Sequence, residues 1–498
     1  MDYFTNIEWY KIGELLTYNP KAPMLFSSGL FLFVFIAFLL IYQALRKNTL
    51  ARIIYVTLFS LYFYYKSSGE FFVLLLLTAS FDFMIGRAMA HTATKNRRKL
   101  WVILSLCFNL GMLGYFKYTN FLFEIFGPLF SDTPKHFDIF LPVGISFFTF
   151  QSLSYVIDIY RDRITPLTRW IDYVFYVSFF PQLVAGPIVR ARDFIPQIHR
   201  NPILTKAAMG EGLFLIICGL LKKCVISDYI SMNFVDRVFD TPLHYTGVEN
   251  LMAIYGYTLQ IYCDFSGYSD MAIGIALLLG IRFNINFDSP YQSATITEFW
   301  RRWHISLSTW LKDYLYISLG GNRKGKKRQY ANLLITMLLG GLWHGASIRF
   351  ILWGGLHGLA LAVHKFMLDF FPSFKKEGKY MTPFRRVIGV LITFHVVCFG
   401  WILFRAKDMT LFTQMLSQIV NHFHPEVFKQ FVNGYSIVFY LMVLGYTIHF
   451  IPRKWENSFR GLLTKSPLLI QALCLAIAIF IVIQFKSAGV QPFIYFQF

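Results

Sequence analysis

The chain has 498 residues, of which 56% are hydrophobic and 19% aromatic, whereas only 15% are charged. A soluble protein of this length would carry roughly a quarter charged residues, so the composition excludes an ordinary soluble protein. Long unbroken apolar runs also argue against a β-barrel, in which apolar and polar residues alternate. The sequence therefore predicts an all-α polytopic membrane protein.

The net charge of +20 comes from short basic clusters that lie between the apolar runs. This is the positive-inside pattern of cytoplasmic loops rather than that of a nucleic-acid-binding surface, and we expect no nucleic-acid partner. The six cysteines lie mostly in apolar runs and have no paired spacing. They predict neither a disulfide framework nor a zinc site.

The first apolar run, residues 24–45, is about long enough to span a bilayer and is followed by Arg46 and Lys47. Residues 1–23 lack the basic region of a cleavable signal peptide. We therefore expect a retained helix with the N-terminus outside the cytoplasm. The charge bias also places the polar stretch 406–434 outside, and we expect the C-terminus on the same side.

Further apolar runs follow, and some are too short for a straight crossing, so tilted, partial or re-entrant helices are expected. The stretch FFPQLVAGP contains Pro181, Gly186 and Pro187, which would break a helix. Broken backbone is tolerated at membrane depth only when it is buried in protein or lines a cavity. Residues 178–190 are therefore predicted to form a re-entrant element near a central cavity.

The strongest polar cluster is EFWRRWHISLSTWLKDYLY, residues 298–316. If it forms one helix, Trp300, Trp303, His304 and Leu307 share one face. Tryptophans with arginines are typical of a helix that lies in the membrane interface as an anchor. Such an anchor does not explain a histidine on the apolar face, and we therefore interpret His304 as functional.

A second histidine, His344, follows a long run without ionisable residues. An ionisable side chain in a membrane segment costs a few kcal/mol, so it is rarely placed there without a function. Gly340, Gly341 and Gly345 remove side chains around it, which permits close approach by backbone or substrate. We interpret His344 as functional rather than as a histidine bonded to a neighbouring helix.

Three other histidines, His357, His364 and His395, also lie in apolar runs and are interpreted as structural or interfacial. A pair of membrane histidines, His304 and His344, indicates general acid–base chemistry, because imidazole titrates near neutrality and accepts a hydroxyl proton. The sequence has no HExxH motif, P-loop or GxSxG elbow. We therefore predict neither a metal nor a bound cofactor.

Several motifs occur in one order along the chain: FFPQLVAGPIVR (179–190), GLLKKCVISD (219–228), YCDFSGYSDMAIG (262–274), FWRRWHISLSTWLKDYLYISLGGNRKG (299–325) and GLWHG (341–345). Together they resemble the membrane-bound O-acyltransferases, and within them the bacterial AlgI-like branch that acetylates exported polysaccharides. The similarity covers roughly residues 140 to 498. It implies a ring of about 10 to 13 transmembrane helices, with re-entrant and interfacial helices, around a central funnel.

The resemblance implies one membrane domain in three parts: N-terminal helices (1–138), a catalytic core (139–406), and C-terminal helices and tail (407–498). It also implies that His344, the histidine of the WHG motif, is the general base toward an acceptor hydroxyl. His304 falls at the family's other polar position, and we expect it to orient the thioester or stabilise the oxyanion. Substrate binding is assigned to the polar and aromatic residues of the quoted motifs: Trp300, Arg301, Trp303, Trp343, Gln182 and Asp313.

The expected reaction moves an acetyl group from a cytoplasmic donor, acetyl-CoA, toward O-acetylation of an exported polysaccharide. The C-terminal FIYFQF could present Tyr495 as an acyl-tyrosine relay, or it could be an aromatic interface anchor. A separate outer-side transferase of the SGNH type is the expected partner, and the bacterial inner membrane is the expected location.

Two alternatives remain open at the level of sequence. A D-alanyl transfer protein of teichoic acid assembly resembles the same family but takes its donor from a carrier protein. A transporter or flippase of envelope precursors would also have many helices and a broken segment. That class predicts paired inverted repeats, whereas only one clear break is visible in the sequence.

Overall fold

The structure is a computed structural model that describes residues 9–129, 136–371, 382–485 and 493. These residues form helices joined by turns and loops, and they contain no β-strand. The prediction of an all-α membrane protein is therefore confirmed. The helices fall into two compact units, and each is described by itself.

The first unit contains the described residues up to Thr205 together with Ile275–Phe283. Its helices are Trp9–Leu16, Gly29–Leu45, Thr49–Ser68, Phe72–Ala90, Lys95–Leu113, Thr119–Phe126, Ile145–Tyr160, Trp170–Ser178, Phe180–Leu183 and Ala191–Ile198, with short 3₁₀ or π turns at Gly69–Phe71, Gly114–Tyr118 and Gly127–Leu129.

The second unit contains Lys206–Gly274, the described residues from Asn284 to Phe485, and Phe493. Its helices before the candidate site are Lys206–Leu220, Asp228–Ile230, Asp236–Asp240 and Gly247–Leu278, with π segments Leu221–Ser227 and Ser231–Val235 and a 3₁₀ turn Pro242–His244. The last residues of Gly247–Leu278 belong to the first unit.

The remaining helices of the second unit are Ile296–Arg302, Ile305–Trp310, Lys326–His344, Ile348–Phe370, Pro383–Arg405, Met409–Asn421, Phe428–Gly434, Ser436–Phe450, Arg453–Lys465 and Leu468–Phe485, with shorter turns Pro290–Gln292, Leu311–Tyr316 and Pro425–Val427. The boundary between the units follows Thr205, whereas the predicted parts divide after residues 138 and 406. The single membrane domain stays a prediction.

In the described part of the chain, 5 stretches are long and apolar enough to cross a membrane. They are Thr49–Ala90, Lys95–Leu129, Ile348–Phe370, Pro383–Arg405 and Leu468–Phe485. A sixth is possible if Pro425–Gly434 and Ser436–Phe450, which meet at an angle of 98°, form one span. This count is lower than the predicted 10 to 13 crossings, because other apolar runs are short, charged or broken. The ring and funnel stay a prediction.

The segment 178–190 is irregular and completely buried, as predicted from its prolines and glycine. Its helix ends at Ser178, a single turn spans Phe180–Leu183, and regular helix resumes only at Ala191. A side chain at Gly186 would lie 2.4 Å from the carbonyl oxygen of Pro181, so only glycine fits this turn. The broken backbone is confirmed, and the central cavity beside it stays a prediction.

In the second unit, the helix Gly247–Leu278 packs closely against the segment that begins with Lys206–Leu220. A Cβ on Gly219 would lie 2.5 Å from the carbonyl oxygen of Gly267, so both glycines are needed for this backbone contact. Beyond the contact, the buried ammonium of Lys223 pairs with the carboxylates of Asp264 and Asp228. Such a buried pair fixes the register of two helices more than it adds net stability.

Candidate active site

His344 is the last residue of the helix Lys326–His344, and its side chain is 3% exposed. The backbone becomes extended at Gly345, which ends the helix there. The imidazole contacts the rings of Trp353 and Phe404 edge-on, at centroid distances of 5.0 and 5.3 Å. Carbonyl groups at a helix C-terminus carry partial negative charge, which stabilises a protonated imidazole. His344 therefore lies in a buried, mainly aromatic site at the C-terminus of a helix.

The glycines around His344 allow the next helix, Ile348–Phe370, to cross very close to it. A Cβ on Gly341 would lie 2.1 Å from the carbonyl oxygen of Phe350, and a Cβ on Gly345 would lie 2.0 Å from the Phe350 ring. Neither position can accept even alanine without movement of its neighbours. The expected close approach of backbone is confirmed at Gly341, whereas the neighbours at Gly345 and Gly340 are the side chains of Phe350 and Leu311.

His304 lies at a sharp corner between the helices Ile296–Arg302 and Ile305–Trp310. Its φ of +42° is in the left-handed region, which a residue other than glycine adopts only when its surroundings hold it there. The prediction of one continuous helix through residues 298–316 is therefore wrong. The turn at His304 divides the segment into two short helices, so the aromatic residues do not share one helical face. Both helices point their aromatic side chains inward.

The alternative interpretation of this segment, an interfacial anchor, does not account for the burial of its apolar face. Trp303 is 1% exposed and His304 is fully buried, so the apolar face packs against protein rather than against lipid headgroups. The rings of Trp303 and Trp401 lie 4.9 Å apart, which ties the corner to the helix Pro383–Arg405. The tryptophans are numerous here because they fill a core.

Asn286 determines the protonation pattern of His304. Its Oδ1 accepts hydrogen bonds from the backbone N–H of Ser306, at 3.1 Å, and from the Ser306 hydroxyl, at 2.9 Å. The same oxygen lies 3.2 Å from Nδ1 of His304. Because this oxygen only accepts, Nδ1 must carry the proton, and in the neutral ring Nε2 is then an acceptor.

Nε2 of His304 has no hydrogen-bond partner among the described residues. Burial lowers the pKa of His304, so the ring is neutral near pH 7. A neutral ring with the proton on Nδ1 can accept a hydrogen bond at Nε2 but cannot donate one there. The site therefore presents a buried lone pair, which suits a hydroxyl or an amide N–H of a bound molecule.

The ring of Trp343 contacts the rings of both His304 and His344. Its ring centroid lies 6.3 Å from that of His304 and 5.0 Å from that of His344. Phe265 closes the other side of His304, edge-on at 4.6 Å. The two imidazoles thus belong to one continuous aromatic cluster within the second unit, which excludes water and strengthens any charge–dipole interaction inside it.

The structure separates the residues to which substrate binding was assigned. Trp300, Trp303 and Trp343 are buried in the cluster, whereas Arg301 is exposed and Asp313 is partly exposed. Gln182 is fully buried, but it belongs to the first unit, where its amide nitrogen donates to the carbonyl oxygen of Tyr176. The binding roles of all six stay predictions.

Tyr495 lies outside the described residues. Phe493, two residues before it, is fully buried and packs against Phe265 and Tyr268, with ring centroids 5.5 and 5.0 Å away. Phe265 also contacts His304. The tail residue Phe493 therefore packs on a ring that itself contacts His304.

Sequence reasoning missed Asn286, Trp353 and Phe404 as parts of the site. Asn286 lies in a short polar stretch, RFNINFDS, 18 residues before His304, and no local pattern links the two. A signal for Trp353 was present, since Phe350, Trp353 and His357 recur at helical spacing in an apolar run. That pattern indicates a buried face but not what the face contacts.

Comparisons with known proteins show which family the chain resembles. The pattern of the membrane-bound O-acyltransferase (MBOAT) family matches residues 167–404, which include both histidines. The chain is 36% identical over 439 residues to the peptidoglycan O-acetyltransferase of Helicobacter pylori, covering 82% of each chain. It is 41% identical over 399 residues to the probable alginate O-acetylase AlgI of Pseudomonas aeruginosa, covering 79% of this chain and 74% of the relative.

The chain therefore belongs to the membrane-bound O-acyltransferase family. It is a multi-pass membrane enzyme that transfers acyl groups, and the resemblance found in its motifs is confirmed. A teichoic acid D-alanyltransferase of Bacillus subtilis is a more distant relative, 30% identical over 280 residues, covering 53% of this chain and 69% of the relative.

Proposed function

We propose that this acyltransferase moves an acetyl group from cytoplasmic acetyl-CoA toward O-acetylation of an exported or cell-envelope polysaccharide. The observation that carries the proposal is the pair of buried histidines, His304 and His344, in one aromatic cluster. Relatives named for O-acetylation of peptidoglycan and of alginate cover most of the chain, which supports acetyl as the group and a polysaccharide as its destination.

In the proposed step, His344 removes the proton of an acceptor hydroxyl while the hydroxyl oxygen attacks the carbonyl carbon of the thioester. The carbon–sulfur bond then breaks, and the imidazolium returns the proton to the departing thiolate. The helix C-terminus beside His344 stabilises the imidazolium between these two events. A site lined by aromatic side chains would limit hydrolysis, because it disfavours water near the thioester.

His304 is proposed to orient a substrate through Nε2. The hydrogen bond of Nδ1 with Asn286 makes Nε2 an acceptor, so it would hold the acceptor hydroxyl or an amide N–H of the donor. Stabilisation of the oxyanion, the other role expected from the sequence, needs a donor at Nε2 and thus a protonated ring. Burial of His304 opposes that protonation, so orientation is the role that its surroundings favour.

The acceptor hydroxyl is proposed to be that of Tyr495, which would carry the acetyl group as an ester to an SGNH-type transferase on the outer side. The position of Phe493 supports this relay, because it packs on Phe265 beside His304. We further propose the bacterial inner membrane as the location, with both termini outside.

A direct test uses the purified full-length protein and acetyl-CoA labelled in the acetyl group. Transfer of label to the protein or to an added polysaccharide fragment supports the proposal. The D-alanyl alternative is tested in parallel with a carrier protein that bears labelled D-alanine. Transfer from that carrier and none from acetyl-CoA would replace the acetyl proposal. The lower coverage of the D-alanyltransferase relative, 53% of this chain, makes this the second candidate.

A further inference from the structure

His357 is a fully buried histidine whose two ring nitrogens both lack a hydrogen-bond partner among the described residues. Two other histidines of apolar helices are bonded: His364, on the same helix, to the Thr297 hydroxyl at 2.8 Å, and His395, on the helix Pro383–Arg405, to the Tyr255 hydroxyl at 3.0 Å. A buried polar group without a partner loses its hydration and regains nothing. The interpretation of His357 as a structural residue therefore lacks the contact on which it would depend.

Two more unpaired donors surround this imidazole. Nε1 of Trp300 and Nε1 of Trp353 are buried without a partner among the described residues. The two indole rings lie 5.3 and 4.8 Å from the His357 ring, and they also contact each other at 5.7 Å. A cluster that served only to fill space could use phenylalanine at all three positions. Three polar aromatic side chains together indicate a bound molecule with hydrogen-bonding atoms.

Nε2 of His357 faces Gly400 of the helix Pro383–Arg405, where a Cβ would lie 3.0 Å from this nitrogen. Alanine would press on this nitrogen, whereas glycine leaves the approach to Nε2 free of a side chain.

Trp353 connects His357 to the proposed base. Its ring contacts His344 at 5.0 Å on one side and His357 at 4.8 Å on the other. Trp353, Gly354 and His357 all lie on the buried face of the helix Ile348–Phe370. Any molecule bonded to His357 would therefore lie one aromatic ring away from the proposed site of acyl transfer.

We propose that His357, Trp300 and Trp353 form a hydrogen-bonding subsite for the carbonyl or amide groups of the acyl donor. The indoles can only donate, and a neutral imidazole offers one donor and one acceptor. An amide-bearing thioester supplies carbonyl oxygens for the donors and an N–H for the acceptor. This inference rests on the proposed function, which supplies the identity of the acyl donor.

The test compares full-length wild type with His357→Phe, His357→Gln and the matched control His364→Phe. The melting temperature, KM for acetyl-CoA, KM for the acceptor and kcat are measured for each. His357→Phe keeps an aromatic ring but removes both nitrogens, so it should melt at the same temperature as wild type or higher. Its KM for acetyl-CoA should rise about threefold to tenfold, the effect of one lost neutral hydrogen bond.

His357→Gln, which restores a donor and an acceptor, should recover part of the affinity for acetyl-CoA. His364→Phe breaks the bond with Thr297, so it should lower the melting temperature and leave KM unchanged. A lower melting temperature of His357→Phe with an unchanged KM for acetyl-CoA would overturn the subsite, as would a change confined to the acceptor KM.

These measurements distinguish an error in the proposed donor from an error in the proposed subsite. A wild type that transfers nothing from acetyl-CoA contradicts the donor, and the same variants are then measured with the D-alanyl carrier. The subsite is supported if His357→Phe keeps its melting temperature and loses affinity for that donor. It is overturned if the variant is less stable than wild type and binds the active donor equally well.

Discussion

Asn286 fixes the tautomer of His304, because the amide oxygen that meets Nδ1 at 3.2 Å is already an acceptor for the Ser306 backbone. The Ser306 backbone N–H fixes the orientation of the Asn286 side-chain amide, because the amide nitrogen of Asn286 could not accept that hydrogen bond. The acceptor lone pair of the neutral His304 ring is therefore on Nε2. Asn286, a single loop residue, thus determines that Nε2 of His304 binds a hydrogen-bond donor.

Replacement of Asn286 by aspartate should make the reaction sensitive to acid. In the wild type, burial lowers the pKa of His304, so the ring stays neutral through the range pH 5–8 and contributes no loss of activity there. A carboxylate at Nδ1 favours the imidazolium and raises this pKa by about 1–2 units or more. Because the protonated ring lacks a lone pair at Nε2, activity should fall as pH decreases through the raised pKa.

The measurement is kcat/KM between pH 4 and 8 for wild type, Asn286→Asp and Asn286→Ser. The serine variant keeps a short polar side chain without charge, so it should lower the rate but retain the wild-type pH dependence. An identical pH profile for Asn286→Asp and wild type would show that Asn286 does not act through His304.

Removal of the imidazole of His344 should abolish transfer without unfolding the protein. His344→Gln keeps polarity and approximate size at a site closed by Trp353 and Phe404. The loss of a general base typically lowers kcat by about 10²–10⁴-fold. Release of thiol from acetyl-CoA measures the rate, and the melting temperature reports folding. Retention of more than a tenth of the wild-type kcat would exclude His344 as the base.

The tail relay predicts that Tyr495→Phe prevents covalent labelling of the protein by acetyl-CoA while the helices remain folded. The matched control is Tyr440→Phe, because Tyr440 is an exposed tyrosine on the helix Ser436–Phe450. Mass spectrometry of the labelled wild type should place the acetyl group on the C-terminal peptide. Full polysaccharide acetylation by Tyr495→Phe would show that the tail serves as an anchor only.

Gly341→Ala should destabilise the protein strongly. The added methyl would meet the carbonyl oxygen of Phe350 at 2.1 Å, so the two helices must separate. Overpacking of this kind costs about 1–3 kcal/mol, and more where backbone must move. Gly434→Ala is the control, because nothing lies within 4 Å of a Cβ there. Equal melting temperatures of the two variants would contradict the close crossing.

Lys223→Met should destabilise the protein more than Lys222→Met does. Lys223 is buried between Asp264 and Asp228, whereas the pair of Lys222 with Asp270 is partly exposed. Loss of one partner of a buried pair costs about 3–5 kcal/mol, because the remaining charge stays desolvated. Melting temperatures in the same detergent give the comparison. A larger loss for Lys222→Met would contradict the burial of Lys223.

The composition and motifs of the chain were sufficient to predict the class of the protein and to single out His304 and His344. Apolar composition fixes the membrane environment, because bilayer hydrocarbon admits only backbone that satisfies its own hydrogen bonds. Because an ionisable group costs free energy in a membrane segment, His344 and His304 were predicted to be functional. Proline and glycine between residues 178 and 190 were sufficient to predict a broken, buried segment, since their backbone preferences are local.

The side chains that surround those histidines could not be predicted from the sequence, because they come from distant parts of the folded chain. The turn at His304, with φ of +42°, is held by Asn286, and such a distant contact leaves no periodic signal in the chain. The amphipathic pattern of residues 298–316 indicated an apolar face correctly, but lipid and protein core are equally apolar. Packing against Trp401 made that face internal. Periodicity reports which face is buried, whereas the partner that buries it is decided by contacts distant in sequence.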